Sequence, residues 1–202
     1  MDIDKRQFFQ LFGDGVPTSD ADLEAMDYGG ADDRRALLAL ARCQAPKTVV
    51  EFGVQTGLTA RLLLDEIPTI ETYIGIDLPR AKAEQPVLEG QAPEKPKVAG
   101  ALVKDDERVK IIRKRSEQLT AADLPAADLV YIDGGHDRET VLADTKLARE
   151  ILAPGGVIVW HDYGNDTVEV TGAIDDLNRA EGNHICRVGN TWVCFEMNRG
   201  EG

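Results

Sequence analysis

The sequence predicts an α/β protein built on a doubly wound, mostly parallel sheet of seven strands. Five short segments rich in β-branched residues recur along the chain: TVVEFG, TYIGID, VKIIRK, DLVYID and GVIVWHD. Such apolar runs without clean alternation are typical of strands covered on both faces. Helical segments lie between most of them, and this alternation favours parallel strands joined by right-handed crossovers. A hairpin pattern near the carboxyl end completes the prediction with an antiparallel last strand.

Three helical segments carry the signals that begin and end helices. In DDRRALLALARC, acids occupy the first turn, Leu37, Leu40 and Ala41 follow helical spacing, and Pro46 ends the helix. LTARLLLDEI follows the first of the five strands, and RETVLADTKLAREIL joins the fourth to the fifth, with APGG as its stop. The second and third of these helices are crossovers of the kind that a parallel sheet requires.

The hairpin pattern consists of NHICRV and TWVCFEMN, which meet at Gly189-Asn190. Two residues of this type suit a tight turn between antiparallel strands. The final strand is therefore expected to run against an otherwise parallel sheet.

Composition limits the class of partner. The 202 residues suit a single α/β domain. With 36 acidic and 23 basic side chains, the formal charge of −13 disfavours nucleic acid and anionic membranes. No run approaches the roughly 18 apolar residues of a membrane span, and the three cysteines show no metal or disulfide spacing. We expect a cytoplasmic protein with a small-molecule partner; the oligomeric state, a homo-oligomer included, is left open.

The chain is predicted to consist of a short N-terminal segment and one domain. Residues 1–30 are predicted to form an N-terminal arm or cap, and residues 31–202 a single domain. Within that domain, prolines and mixed charges predict a mobile loop or lid over residues 78–104. This loop, the N-terminal FFQLF and Tyr163 are the candidate walls of a pocket.

The stretch VVEFGVQTGLTA places glycines where a strand should end and a helix begin. A dinucleotide fingerprint would require glycine at the positions of Gln55 and Leu58, so that fingerprint fails. Glu51 instead favours a cation, while the helix N-terminus after Gly57 offers amide N–H groups to a carboxylate. Asp77 closes the next strand, where an acid can bind both ribose hydroxyls. Together these features describe a cationic amino acid attached to a nucleoside.

At this point the chain resembles the class I methyltransferases that use S-adenosylmethionine, and within them the small-molecule O-methyltransferase-like group. The resemblance runs from about Ala36 to Glu196 and depends on four motifs: VVEFGVQTGLTA, YIGIDL, DLVYIDGGHDRETVLAD and LAPGGVIVWHDY. It implies a Rossmann-like fold and transfer of a methyl group to a small acceptor, at a hydroxyl oxygen.

The resemblance also implies roles for the cofactor residues. Glu51, Gly53 and Gly57 would hold the methionine end of the cofactor, with Gln55 and Thr56 between them as further binding candidates. Asp77 would hold the ribose. The adenine neighbourhood would contain Ser116 and Glu117, and Asp133 would lie beside the bound methyl group.

A second group of polar residues ends the fourth and fifth predicted strands. YIDGGHD and VWHDY contain Asp133, His136, His161 and Asp162, which should lie together at the carboxyl ends of the two strands. In the metal-dependent catechol-type members, acids and an amide at these strand ends bind a divalent cation. Here Asp133 matches the first acid and His161-Asp162 replaces the acid-amide pair. The resemblance therefore implies Asp133, His161 and Asp162 as ligands of Mg, Mn or Zn, and the imidazole suits Mn, Fe or Zn better than Mg. It also implies His136, with Asp133, as the catalytic pair, His136 having a near-neutral pKa suited to a general base.

Two other functions are kept open by the sequence. The first is an NAD-type oxidoreductase on a similar sheet, which Gln55 and the terminal hairpin disfavour. The second is a cofactor-binding module without transferase activity, since acids at strand ends also occur without chemistry.

Overall fold

A computed structural model describes residues 1–13, 30–79, 98–182 and 184–198 of the chain. The described residues form one eight-stranded sheet in the order β1-β7-β8-β6-β5-β2-β3-β4. Its strands are β1 (Asp2–Ile3), β2 (Thr48–Phe52), β3 (Thr72–Asp77), β4 (Val109–Arg113), β5 (Ala127–Ile132), β6 (Leu152–Trp160), β7 (Cys186–Val188) and β8 (Cys194–Met197).

Five α-helices and three short 3-10 helices accompany the sheet in the described ranges. The α-helices are α1 (Lys5–Phe12), α2 (Ala31–Gln44), α3 (Leu58–Glu66), α4 (Arg138–Ile151) and α5 (Val170–Glu181). The 3-10 helices are Ala101–Val103, Ser116–Gln118 and Ala121–Asp123. The three predicted helices correspond to α2, α3 and α4, whereas α1 and α5 were not predicted.

The strand directions confirm the predicted fold class. Strands β2, β3, β4, β5 and β6 pair in parallel, and β8 pairs antiparallel with both β6 and β7. All seven predicted strands are present. The eighth, β1, pairs in parallel with β7, where Arg187 N–H donates to the Met1 carbonyl and Gly189 N–H to the Ile3 carbonyl. Its two residues are too few for a sequence pattern to reveal it.

The N-terminal aromatic segment is part of the core. Helix α1 begins at Asp4, whose side chain accepts hydrogen bonds from the backbone N–H groups of Arg6 and Gln7. Phe8 is wholly buried and its ring lies 6.0 Å from that of Phe195. The sequence favoured a pocket wall for this stretch, whereas Phe8 packs inside. The rest of the predicted arm, residues 14–29, and residues 80–97 of the predicted lid lie outside the described residues.

Two connections differ from their predictions. APGG was expected to separate a helix from a strand, but β6 begins at Leu152, directly after α4, because Leu152 pairs with Ala127. In the hairpin, Thr191 N–H donates to the Val188 carbonyl and closes the predicted turn at Gly189–Asn190. However, β8 starts only at Cys194, so the β7–β8 connection is longer than two residues and carries Trp192 outward.

The core lies on both faces of the sheet. Helices α1, α2 and α3 bury their apolar residues against one face, which also carries Tyr73 and Tyr131. Helices α4 and α5 cover the other face, where Trp160 Nε1 donates a hydrogen bond to Thr145 Oγ1. Within the described ranges, no helix combines the length and apolar character required to cross a membrane. Because both faces are covered, a ligand can approach the strands at their ends.

Candidate active site at the carboxyl edge of the sheet

The glycine loop after β2 is pressed against the chain that follows β5. Gly53 has a φ of 88°, and a Cβ there would lie 2.0 Å from the Asp133 carbonyl oxygen. Gly57, with a φ of 89°, begins α3, and a Cβ there would meet Val103 Cγ2 at 3.0 Å. Only glycine satisfies both the dihedral angle and the close approach at Gly53.

Asp77 fixes this loop through its carboxylate. Oδ2 accepts a hydrogen bond of 2.7 Å from the backbone N–H of Gln55, and Oδ1 accepts one of 2.6 Å from that of Leu78. Burial raises the pKa of Asp77, and these two bonds act against that rise. Each carboxylate oxygen has a further lone pair, so the group can still accept hydrogen bonds from a ligand.

Glu51 is buried beneath the glycine loop, with 1% of its surface exposed. Tyr73 Oη donates a hydrogen bond of 2.8 Å to Glu51 Oε2. Burial raises the pKa of Glu51 to about 8; the bond from Tyr73 opposes this rise, and the charges of Asp133 and Asp77 add to it. The carboxyl group is therefore mainly uncharged at neutral pH, and its predicted contact with a cationic ligand stays a prediction.

The predicted adenine residues lie in the 3-10 helix Ser116–Gln118, after β4. Ser116 is half-buried and hydrogen-bonded to the side chain of Asp144 on α4, while Glu117 is exposed. Burial raises the pKa of Asp144 to about 7, although the bond from Ser116 lowers it. A Cβ at Gly134 would lie 3.2 Å from Asp144 Oδ2. Asp144 therefore lies against the loop after β5.

The second group of predicted residues comes together at the ends of β5 and β6. Asp133, His136 and Asp162 each offer one donor atom, and the three atoms lie within 4.8 Å of one another. His136 Nε2 is 3.0 Å from Asp162 Oδ2 and 4.0 Å from Asp133 Oδ1. Asp162 adopts a φ of 61° and is held by Asn165, whose Nδ2 donates to Oδ1 at 2.9 Å. This set of two carboxylates and one imidazole could hold a divalent cation.

His161 is buried, with 8% of its surface exposed. Its Nδ1 is 3.4 Å from Asp133 Oδ1 and 3.6 Å from Asp162 Oδ2. The sequence assigned His161 to the metal and His136 to proton transfer. In the structure both imidazoles face the same two carboxylates, so the geometry does not separate these roles.

The pKa of His136 differs from the expectation. The carboxylates of Asp133 and then Asp162 raise it to about 9, and burial only partly opposes them. The imidazole is therefore a cation at neutral pH in this structure. The near-neutral value expected from the sequence is wrong here because the carboxylates of two strand ends face the ring.

Asp33 is a residue of this site that the sequence did not reveal as functional. It lies in the first turn of α2 with 7% of its surface exposed, and its Oδ2 is 3.6 Å from His161 Nε2. Its acidic type at a helix start had a sufficient explanation in the helix dipole. The helix start and His161 are distant in sequence, so no local pattern could join them.

Two aromatic residues flank the site on the side of the hairpin. Trp192 is 40% exposed, and its ring lies 6.2 Å from that of His161. Tyr163, a predicted pocket wall, donates a hydrogen bond of 2.6 Å from Oη to Asp175 on α5, and the Arg187 guanidinium lies over its ring. Trp192 therefore presents a more open aromatic surface than Tyr163.

Three features define a Rossmann-like methyltransferase fold. They are the sheet order, the antiparallel β8, and the glycine loop and acidic residues at the carboxyl ends of the strands. The chain belongs to the family described as "Methyltransferase domain", whose model matches residues 50–163, more than half of the chain. This match includes the glycine loop and all four residues of the second group. Among curated proteins, none matches the chain.

Solved structures share this fold at low sequence identity. Cofactor-bound Rv0187 from MTB is 17% identical with a TM-score of 0.61, and 95% of each chain is covered. The O-methyltransferase from Bacillus cereus in complex with SAH is 17% identical with a TM-score of 0.59, covering 93% of this chain and 94% of its own. The O-methyltransferase TomG from Streptomyces achromogenes, in complex with SAM, is 15% identical with a TM-score of 0.57, covering 95% and 86%.

Proposed function

We propose that this protein is an S-adenosylmethionine-dependent methyltransferase that methylates a hydroxyl oxygen of a small molecule, in the cytoplasm. The observation that carries the proposal is the glycine loop held by Asp77 at the strand ends of a methyltransferase-family domain. The similar structures from Bacillus cereus and Streptomyces achromogenes, which contain SAH and SAM, support it.

The cofactor residues divide the ligand between them. The loop from Gly53 to Gly57, with Gln55 and Thr56, would hold the methionine end, where the N–H groups that begin α3 favour a carboxylate. Asp77 would accept hydrogen bonds from the ribose hydroxyls with its remaining lone pairs. Ser116 and Glu117 would flank the adenine. The cofactor supplies a sulfonium methyl group, so the main task of the protein is alignment of donor and acceptor.

The acceptor oxygen would lie at Asp133, His136 and Asp162. A divalent cation on this set would orient a hydroxyl group and favour its ionised form. The mixture of oxygen and nitrogen donors fits Mn or Zn, whereas Mg prefers oxygen. Without a metal, His136 is the candidate base in its neutral form, which its pKa of about 9 places at alkaline pH, and Asp162 holds its ring beside the acceptor site.

The test is calorimetric titration of the full chain, stripped of metal, with S-adenosylmethionine. We expect micromolar binding, and a loss on the order of 100-fold in Asp77→Ala, since two hydrogen bonds to a charged group disappear. Asp65→Ala is the matched control, because Asp65 is an exposed acid on α3 paired with Arg61. Absence of binding in the unchanged protein, or binding of NAD instead, would overturn the proposal.

A further inference from the structure

The buried imidazole of His161 has one ring nitrogen that makes no hydrogen bond within the part of the chain that the structure describes. Its Nδ1 is inaccessible to solvent and has no hydrogen-bond partner among the described residues. The ring nevertheless directs this atom towards Asp133 and Asp162 at 3.4 and 3.6 Å. A buried ring nitrogen that faces two carboxylates without a hydrogen bond to either points to a ligand that they would share.

The separations around Nδ1 fit a shared cation better than direct hydrogen bonds. Ligand atoms that lie about 2.0–2.2 Å from a tetrahedral metal ion are roughly 3.4 Å apart from one another. The distances from Nδ1 to the two carboxylates match this spacing. The distances from His136 Nε2 to the same oxygens, 3.0 and 4.0 Å, lie on either side of it.

Asp33 holds the opposite edge of the same ring. The backbone N–H of Trp192 donates to Asp33 Oδ1 at 2.8 Å, and that of Gly30 donates to Oδ2 at 2.7 Å. The carboxylate is thus fixed by the β7–β8 connection and the start of α2. From there its Oδ2 faces His161 Nε2 at 3.6 Å. The negative charge of Asp33 favours a proton on the outer nitrogen, and a shift of a few tenths of an ångström would complete the carboxylate–histidine–metal arrangement in which the inner nitrogen binds the metal.

We propose that Asp33 is a positioning residue that directs His161 Nδ1 to a divalent transition metal held by Asp133 and Asp162. This inference rests on the metal part of the proposed function; it keeps His161, a ligand already expected from the sequence, and adds Asp33 as its orienting carboxylate. With His136 included, the site offers two nitrogen and two oxygen donors. Such a set favours Zn, Co or Mn over Mg.

The experiment measures metal binding by the full chain after metal is stripped. Calorimetry with Zn²⁺ and visible absorption with Co²⁺ are compared for the unchanged protein, Asp33→Asn and Asp32→Asn. Asp32 is the control because it lies in the same helical turn but is partly exposed and pairs with Lys5 and Arg35. We expect Asp33→Asn to weaken binding about 10- to 100-fold and to change the Co²⁺ spectrum. Asp32→Asn should stay within about twofold, since it touches no candidate ligand.

A second measurement needs no variant. The chain contains three histidines, so their imidazole nitrogens can be assigned by nuclear magnetic resonance. With Zn²⁺ bound, His161 should be metallated at Nδ1 and protonated at Nε2. Metallation at Nε2, or an unchanged His161 spectrum, would overturn the inference.

Titration of the same samples with S-adenosylmethionine separates this inference from the proposed function. Cofactor binding in a protein that binds none of the metals would overturn the metal inference and leave the methyltransferase proposal standing. If Asp33→Asn lost cofactor and metal affinity equally, Asp33 would be needed for the folded structure of the whole site, and its positioning role would be rejected.

Discussion

The two ends of the candidate site use different chemical groups: the cofactor end uses mainly backbone groups, and the acceptor end uses side chains. At the cofactor end, the loop from Gly53 to Gly57 and Asp77 interact mainly through backbone groups, with positive φ angles and N–H donors. At the acceptor end, side chains meet across 3 to 4 Å, and Asp33 reaches them from another layer. A backbone site depends on residues that are close in sequence, whereas a side-chain site can recruit any element that packs nearby.

The largest expected effect comes from Gly53, where the two ends touch. Gly53→Ala would place a Cβ 2.0 Å from the Asp133 carbonyl oxygen at a φ of 88°. Because the obstruction is backbone, no side-chain rotation can relieve it. We expect a loss of about 3 kcal/mol or more in the free energy of unfolding, measured by urea denaturation, with loss of cofactor binding.

Gly172→Ala is the control for this substitution. Gly172 lies in α5, and a Cβ there would have no neighbour within 4 Å. Alanine is the better helix former by about 0.5–1 kcal/mol, so this variant should be as stable as the unchanged protein or more stable. Equal stability of both variants would mean that the chains after β2 and β5 do not approach as closely as described.

The same contrast explains how much of the fold could be predicted. The parallel strands were predictable because each is a local run of β-branched residues, and Gly189-Asn190 indicated the antiparallel end of the sheet. Strand β1 was missed because it is two residues long and exists only by pairing with β7. Helix α5 follows the last residues of the recognised motifs, where no comparable pattern drew attention to it.

For the site, sequence motifs indicated which residues come together, but not their environment. The sequence predicted that four residues lie together at the carboxyl ends of two adjacent strands, and they do: Asp133, His136, His161 and Asp162. The raised pKa of His136 could not be predicted, because it depends on distances to two carboxylates from different strands. Asp33 could not be identified either, since its partners Trp192 and His161 are far away in sequence.

An intermediate effect on the free energy of unfolding is expected at Glu51, whose side chain is buried beneath the glycine loop of the cofactor end. Its pKa is about 8 in the folded protein against an ordinary 4.5, so the folded state binds its proton more tightly than the unfolded state. The corresponding stabilisation is complete below pH 4.5 and is lost as the pH rises through 8. Glu51→Gln keeps an acceptor for Tyr73 without a charge. It should therefore stabilise the protein by about 1–3 kcal/mol at pH 8.

Urea denaturation of both proteins from pH 5 to pH 8.5 measures this effect. The difference in the free energy of unfolding between Glu51→Gln and the unchanged protein should grow with pH. A difference that is constant over this range would contradict the assignment of the raised pKa to Glu51. Asp65→Asn, on the exposed surface of α3, controls for the loss of one negative charge.

The smallest effect is expected at Gln55, although it lies at the centre of the cofactor end. Gln55 donates to Asp77 through its backbone N–H, its side chain is exposed, and its φ of 47° favours glycine. In Gln55→Gly, relief of this angle and the greater freedom of the unfolded chain nearly cancel, so stability should change by less than about 1 kcal/mol. Affinity for S-adenosylmethionine should stay within about threefold in Gln55→Gly and in Gln55→Ala, because both keep the N–H group. A tenfold loss in both variants would instead assign the Gln55 side chain to the ligand, and the cofactor end would then depend on side chains as the acceptor end does.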